Sequence, residues 1–439
     1  MSTQMKLHLQ ELWKAEGKCS LMDLHEPTER PERVVLVGVH TGSRDELNDC
    51  TEESMQELEL LAQTAGAEVV AHFVQNRPAV ENATYVGEGK AEEIRDFCEH
   101  HEIDIVICDD ELTGSQVRNL EDFIGTRVMD RSALIMDIFA SRAKTKEGKL
   151  QVELAQLQYY LTRLTGSFVN LSRLGGGIGT RGPGETKLET DRRHIRNRIS
   201  VIRKQLEEVE KNRENQRKQR IKEGLQQIAL VGYTNAGKSS LLNYLTDAGV
   251  LAEDKLFATL DPTARKLTLP DGSPVILVDT VGFIRKLPHH LIKAFRSTLE
   301  EAVIADVLVH VVDASSLQLE QNVDVVEGLL HELGAAQKPI VTAYNKIDLV
   351  DSFVTTKPMS VEISVKKGHN IDMLLDTMCE AMPEKRRRVK VLIPYSKGSV
   401  LSVIYSNANV NSEEHTAEGT LMDITADAKT YNMVSDFIV

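Results

Sequence analysis

Gly232, Tyr233, Thr234, Asn235, Ala236, Gly237, Lys238 and Ser239 follow the spacing G-x-x-x-x-G-K-[ST]. In that arrangement the backbone N–H groups of a glycine-rich turn, with the dipole of a helix N-terminus, cradle a polyphosphate. Lys238 then reaches the β- and γ-phosphates, and Ser239 offers its hydroxyl to Mg²⁺. Alone, the pattern also describes an ordinary glycine-rich turn. Two further motifs follow it in order. Asp279, Thr280, Val281 and Gly282 close the apolar run that starts at Pro274, so that Asp279 can orient a metal and its water and the Gly282 N–H can bond a γ-phosphate. Asn345, Lys346, Ile347 and Asp348 close a second apolar run, Pro339 to Tyr344. The Asp348 carboxylate accepts from guanine N1–H and N2–H₂. Adenine presents an acceptor at N1 and no amino group at C2, so it would leave that carboxylate unpaired at a cost of ~1–3 kcal/mol or more. The chemistry indicated is phosphoryl transfer from a guanine nucleotide.

These residues need strands that end where the motifs begin. Ile228 to Val231 reads as a buried strand feeding the first motif, and Leu241, Leu242 and Leu245 open a helix behind it. From Leu225 to about Met382 such elements alternate, which implies an α/β domain with a mostly parallel sheet. A second α/β block precedes it. Its strands are expected at Arg33 to Val39, Ala67 to Val74 and Asp104 to Cys108, with a helix from Glu52 to Ala65. Residues 1–30 have weaker periodicity and are expected to form an appendage.

Between the two blocks the period changes. Leu150, Leu154, Leu157, Leu161 and Leu164 form one helical stripe, and Leu188, Ile195, Ile199, Ile202, Leu206 and Val209 form another. The glycine-rich run Gly175 to Gly184 interrupts them, giving an antiparallel helical hairpin with a loop at its tip. Its second arm, about 32 residues, would be ~50 Å long. After Pro383, the basic run Lys385 to Lys390 and alternating Val391, Ile393, Leu401, Val403 and Tyr405 suggest a small α+β or β module. The partition expected is an appendage (1–30), an α/β domain (31–145), the hairpin (146–223), a phosphate-binding α/β domain (224–383) and the small module (384–439).

At 439 residues the chain is long enough for about three domains. Its net charge of −14 disfavours DNA as a partner, but residues 142–223 hold 20 Lys and Arg against 10 Asp and Glu, a local +10. Cys19, Cys50, Cys98, Cys108 and Cys379 contain no C-x-x-C pair and are expected as free thiols rather than metal ligands or disulfides. No apolar run approaches the ~18 residues of a membrane span, and no signal peptide is evident, so a cytoplasmic protein is expected; a monomer is also expected.

The three ordered motifs resemble those of the translation-factor-related class of P-loop GTPases. That resemblance implies that Lys346 stacks beneath the base and that Ser364, Val365 and Lys366 occupy the place of a base-contacting Ser-Ala-Lys motif, Val365 replacing alanine. Phe257, Ala258, Thr259, Leu260 and Asp261 fall where switch I belongs, with Thr259 as the candidate for the second metal-coordinating hydroxyl and Thr263 its competitor. Together with the run Gly176 to Arg193 and Tyr85 to Lys90, the chain resembles the HflX family of bacterial ribosome-associated GTPases along its whole length.

The resemblance implies GTP-dependent binding to the large ribosomal subunit, dissociation of ribosomes, and a hairpin tip directed at the peptidyl transferase centre. A basic arm can follow phosphate-lined RNA by counterion release, which nominates Arg181, Arg192, Arg193, Arg196 and Arg198 as RNA contacts. The alternative is a merely solvated charged face. Lys238, Thr259 and Gly282 are the expected catalytic groups, with Ser239 and Thr259 as metal ligands. Where Ras-like enzymes hold a water-orienting glutamine, this chain has Phe283. Slow intrinsic turnover, stimulated by ribosomal particles, is therefore expected. Asn235 marks a place where some related GTPases hold K⁺.

Weaker signals stay open. Gly87 to Lys90 is a structural turn or a second phosphate site, since the family includes members that use ATP. Asp109, Asp110 and Glu111 suggest helix capping or a metal, and His100–His101 and His289–His290 are expected as exposed pairs. Two rival functions are an RNA-modification factor, for which no second catalytic motif is present in the sequence, and an assembly scaffold that uses GTP only as a stability ligand.

Overall fold

A computed structural model describes residues 30–42, 51–164, 183–222, 225–246, 256–257, 259–286, 301–355, 357–383, 387–426 and 428–439. The chain forms two compact units, one of residues 1–141 and 153–200, the other of residues 142–152 and 201–439.

In the first unit, β1 (Arg33–His40), β2 (Glu68–Asn76), β3 (Ile105–Cys108) and β4 (Arg127–Asp130) form a fully parallel sheet in the order β2-β1-β3-β4. The crossovers are α1 (Glu52–Ala65), α2 (Glu88–His101) and α3 (Gly114–Ile124). The helices start and stop where the sequence supplies caps. Thr51 accepts from the Ser54 N–H, and Thr113 and Gln116 make a reciprocal capping box. Val35, Val37, Ile94, Val106 and Leu120 lie in its apolar core.

Gly87 serves as the N-cap of α2, with its N–H donated to Gln75 Oε1 at 2.9 Å. Asp109 departs from the capping expectation. It is fully buried, accepting from Arg131 Nη1 at 2.9 Å and Ser54 Oγ at 2.6 Å, while Asp110 accepts from the Tyr85 hydroxyl at 2.6 Å. A buried guanidinium needs such anionic partners because desolvation of an isolated charge is costly. Cys98 and Cys108 are buried free thiols and Cys379 is half-buried. Among the described residues no group of three or more His, Cys, Asp and Glu has the proximity to hold a metal ion. Cys19, Cys50 and His289–His290 lie outside the described residues; His100 and His101 are exposed at the end of α2.

Helix α4 (Arg131–Arg142) leads to the hairpin arms α5 (Lys146–Leu164) and α6 (Pro183–Lys222). The arms run antiparallel: within the first unit Arg192 Nη2 donates to the Leu164 carbonyl and Arg198 forks onto Glu153, and within the second Arg213 pairs with Glu147 at 3.1 Å. Leu150, Leu154, Ile199 and Ile202 of the two stripes are buried. The second arm is longer than expected and departs from expectation at its start. It is one helix of 40 residues, about 60 Å. It begins at Pro183, inside the run read as loop, because proline at the first helical position loses no hydrogen bond.

The second unit holds a six-stranded sheet of β5 (Gln226–Val231), β6 (Thr263–Thr268), β7 (Pro274–Asp279), β8 (Val307–Asp313), β9 (Ile340–Asn345) and β10 (Ser360–Glu362). Its order is β10-β9-β8-β5-β7-β6, parallel except for the β6/β7 hairpin. Helices α7 (Lys238–Thr246), α8 (Leu319–Glu332) and α9 (Ile371–Ala381) accompany it. β5 to β9 are buried for nearly their whole length apart from β6, as expected for strands covered on both faces.

The C-terminal residues form an antiparallel sheet in the order β11-β13-β12, from β11 (Arg387–Ile393), β12 (Ala408–His415) and β13 (Thr420–Ala426), with α10 (Gly398–Asn407) and α11 (Ala428–Val434). Leu401, Val403 and Tyr405, whose alternation suggested a strand, lie in α10. The packing residues there are Val400, Leu401 and Ile404, a helical spacing.

Candidate nucleotide-binding and hydrolysis site

The site forms at the C-terminal ends of β5, β7 and β9, where open α/β sheets place ligands. β5 delivers Gly232, whose φ of +151° and lack of a side chain bring the loop against β8. A Cβ there would lie 2.2 Å from the Val311 carbonyl oxygen. Asn235 and Gly237 also have positive φ, at 62° and 99°, which turns the loop tightly into α7.

Two neighbours fix the loop. Phe283, just beyond the Asp279 to Gly282 motif, donates its N–H to the Gly232 carbonyl at 3.1 Å and accepts from the Thr234 N–H at 2.8 Å. Its ring is buried among Ala229, Val231, Ala302 and Ala305. The residue in the place of the water-orienting glutamine is therefore core, while its main chain stitches the phosphate loop to the segment that follows Asp279. The other neighbour is Asn345. Its Nδ2 donates to the Ala236 carbonyl at 2.9 Å and its Oδ1 accepts from the Val365 N–H at 3.1 Å. Phosphate loop and base loop thus share one side chain.

Lys238 is buried, its Nζ donating to the carbonyls of Gly232 at 3.0 Å and Tyr233 at 2.8 Å. Burial draws its pKa down to about 8, against the opposing pull of Asp279. Ser239 Oγ lies 2.7 Å from Thr259 Oγ1 and donates to Asp279 Oδ2 at 2.6 Å. Thr259 meets Ser239 and Asp279, whereas Thr263 begins β6 with its backbone paired to Asp279. Burial pushes the Asp279 carboxyl above the usual carboxylate range, opposed by Lys238, Ser239 and Thr259, and its Oδ1 is buried without a hydrogen-bond partner. Two hydroxyls and a carboxylate with an orphaned oxygen form a hard, all-oxygen donor set that fits Mg²⁺.

At the base end, Lys346 has φ 65° and its Nζ pairs with Asp313 Oδ2 at 2.7 Å. Asp348 accepts from Ser364 Oγ at 2.6 Å, and that hydrogen bond holds its carboxyl below the ordinary range, ionised and able only to accept. Gly282 approaches so closely that a Cβ would lie 2.7 Å from Thr234 Cγ2 and 3.0 Å from Lys238 Nζ.

The Thr280 hydroxyl donates to the Leu230 carbonyl at 2.7 Å; Phe257, Leu260 and Val281 are buried; Ile347 packs in an apolar cluster; Lys366 is exposed. The Tyr233 hydroxyl accepts from the Arg285 N–H at 2.9 Å. Asp261, expected at the nucleotide, turns its carboxylate to Lys144 and Thr145 instead, because two backbone N–H groups and a hydroxyl converge there. Ala258 lies outside the described residues. Of the nominated arginines, Arg193 and Arg196 are exposed, Arg192 and Arg198 are engaged within the hairpin, and Arg181 lies outside the described residues. Asp313 and Thr145 carried no sequence signal, since neither belongs to a motif.

Three family models match in succession: residues 52–140 a GTP-binding GTPase N-terminal region, 142–220 a GTP-binding GTPase middle region, and 227–346 a 50S ribosome-binding GTPase. The chain is 49% identical over 408 residues to GTPase HflX of Caldanaerobacter subterraneus subsp. tengcongensis, covering 93% of this chain and 94% of that one. The chain belongs to the HflX family of GTPases. The HflX of Escherichia coli K12 is 42% identical over 397 residues, 89% of this chain and 92% of its own. A solved SsGBP–GDP complex aligns with 80% of the chain and 98% of its own at 25% identity and a TM-score of 0.45. As an HflX GTPase the protein binds guanine nucleotide and hydrolyses GTP. Its fold is the mixed α/β arrangement with a mostly parallel sheet expected from the motifs. No helix among the described residues is long and apolar enough to cross a membrane.

Proposed function

We propose that this GTPase binds the large ribosomal subunit in its GTP state and dissociates ribosomes in the cytoplasm, acting as a monomer, with the hairpin as the RNA-contacting arm. The observation that carries the reading is α6, which holds Arg193 and Arg196 exposed within a segment of net charge +10 in an otherwise acidic chain. Such an arm gains affinity for phosphate-lined RNA by releasing counterions.

In this reading Ser239, Thr259 and Asp279 hold Mg²⁺, which neutralises charge on the β- and γ-phosphates when bound. Lys238 exchanges its two loop carbonyls for phosphate oxygens. The Gly282 N–H reads the γ-phosphate, and Asp348 reads guanine. Phe283 provides no group to orient water, so turnover is slow until the ribosome completes the site; Asn235 would hold a K⁺ ion, which would supply positive charge to the phosphates. Replacing K⁺ by Na⁺ should then lower the rate.

The deciding experiment is co-sedimentation with ribosomal subunits in GTP, GDP and a non-hydrolysable analogue, read beside subunit splitting. Pelleting with the large subunit should be strongest with the triphosphate forms. Equal pelleting in all three states overturns the reading.

A further inference from the structure

Asp261 lies two residues beyond Thr259, and its carboxylate is spent on the base of the first hairpin arm. Oδ2 accepts from the backbone N–H groups of Lys144 at 3.0 Å and Thr145 at 2.9 Å, and Oδ1 accepts from Thr145 Oγ1 at 2.5 Å. Thr145 Oγ1 in turn accepts from the Gly148 N–H at 2.9 Å, inside the first turn of α5. Gly148 is required for this approach, because a Cβ on it would lie 2.5 Å from Asp261 Oδ1. The acidic group also sits where the dipole of a 19-residue helix favours negative charge. The second arm is anchored alongside, since Arg213 of α6 pairs with Glu147 at 3.1 Å and reaches Glu301 at 4.0 Å.

Residues two apart have Cα atoms within ~7 Å. The Thr259 hydroxyl at Ser239 and Asp279, and the Asp261 carboxylate at the start of α5, therefore belong to one short segment, with buried Leu260 between them. Neither end can swing far without disturbing the other.

We propose that Asp261 and Thr145 are positioning residues for GTP hydrolysis: their clasp holds switch I so that Thr259 faces the phosphate site, and it couples that conformation to the hairpin. Loss of the γ-phosphate loosens Thr259 and, through Asp261, the first turn of α5. By reciprocity, anything that steadies the arm steadies Thr259. The partner side of this coupling rests on the ribosome reading above; the effect on hydrolysis does not.

The test uses the full-length protein with Thr145→Ala, Asp261→Ala, the conservative Thr145→Ser, and Thr113→Ala as a control that removes a helix cap in the first unit. Thr145→Ala and Asp261→Ala should each lower kcat about tenfold, the size of one charge-assisted hydrogen bond, with KM for GTP and GDP affinity held within about threefold. Thr145→Ser should restore the rate, and Thr113→Ala should leave it unchanged. In the wild type, amide exchange at residues 144–149 should be faster with GDP than with a non-hydrolysable GTP analogue, and Asp261→Ala should abolish that difference. Wild-type kcat in both alanine variants, or exchange indifferent to nucleotide, overturns the clasp. A wild-type protein that never pellets with ribosomes overturns the ribosome reading alone, because rate and exchange still score the clasp. An Asp261→Ala protein with wild-type nucleotide-dependent pelleting overturns the coupling alone.

Discussion

Replacing Gly237 by alanine tests whether the phosphate loop and the base loop share a support. Gly237 has φ +99°, and a Cβ there would lie 2.3 Å from Asn345 Nδ2. The left-handed backbone costs an alanine roughly 1–2 kcal/mol. Displacing the amide breaks its bonds to the Ala236 carbonyl and the Val365 N–H, each worth about 1 kcal/mol net. The sum is about 3–4 kcal/mol, or 10²–10³-fold in an equilibrium constant. Without ligand the loop can relieve the clash by opening. Nucleotide must close it again, so the cost falls on binding. The assay is titration with a fluorescent GDP analogue, beside Gly328→Ala on α8 as a control, where nothing lies within 4 Å of the added methyl. Gly328→Ala should bind normally and gain ~0.5–1 kcal/mol of stability. A Gly237→Ala protein that holds GDP within about threefold of wild type refutes the shared support, since ~3 kcal/mol would then be missing.

Lys238 gives a pH signature. Its folded pKa of about 8 lies below the ~10.4 of an unfolded lysine, so its burial costs stability in full below about pH 8 and the penalty fades as pH rises towards ~10.4. Phosphates should recharge the amine, so calorimetry in buffers of different ionisation enthalpy should detect proton uptake on GTP binding near pH ~9 and little near pH ~7; equal uptake at both contradicts the assignment. Phe283→Gln should not rescue turnover, because the ring is core, and should cost about 3–5 kcal/mol as other large core truncations do, read as thermal stability beside kcat. The double variant Arg193→Glu with Arg196→Glu should weaken ribosome pelleting and reduce its salt slope by about two, whereas Arg198→Ala should chiefly loosen the hairpin, seen as faster amide exchange in α5 and α6.

The nucleotide site was legible because phosphate binding constrains the main chain. Only glycine fits Gly232 and Gly237, and both are visible as spacing. The carboxylates of Asp279 and Asp348 were legible for the same reason, each following an apolar strand. Contacts between residues far apart in the chain left no such trace. Asp109, Arg131 and Glu57 meet in one buried network across gaps of 22 and 74 residues, and Asp261 meets Thr145 across 116. The start of α6 was hidden by Gly-Pro-Gly, which reads as a break although proline is a good first helical residue. In α10 a short apolar run satisfied both periods, and packing against the small sheet chose the helical one.

The Phe283 stitch has a consequence for how such a machine can be dissected. At Phe283 the link to the phosphate loop is made by two main-chain hydrogen bonds, not by the ring. Alanine scanning leaves both in place and would score the position only for its ring. A proline, which has no N–H to give Gly232, or an ester bond installed there by chemical ligation, would cut one of the two bonds, leave the one from Thr234, and show how much of the message travels along it.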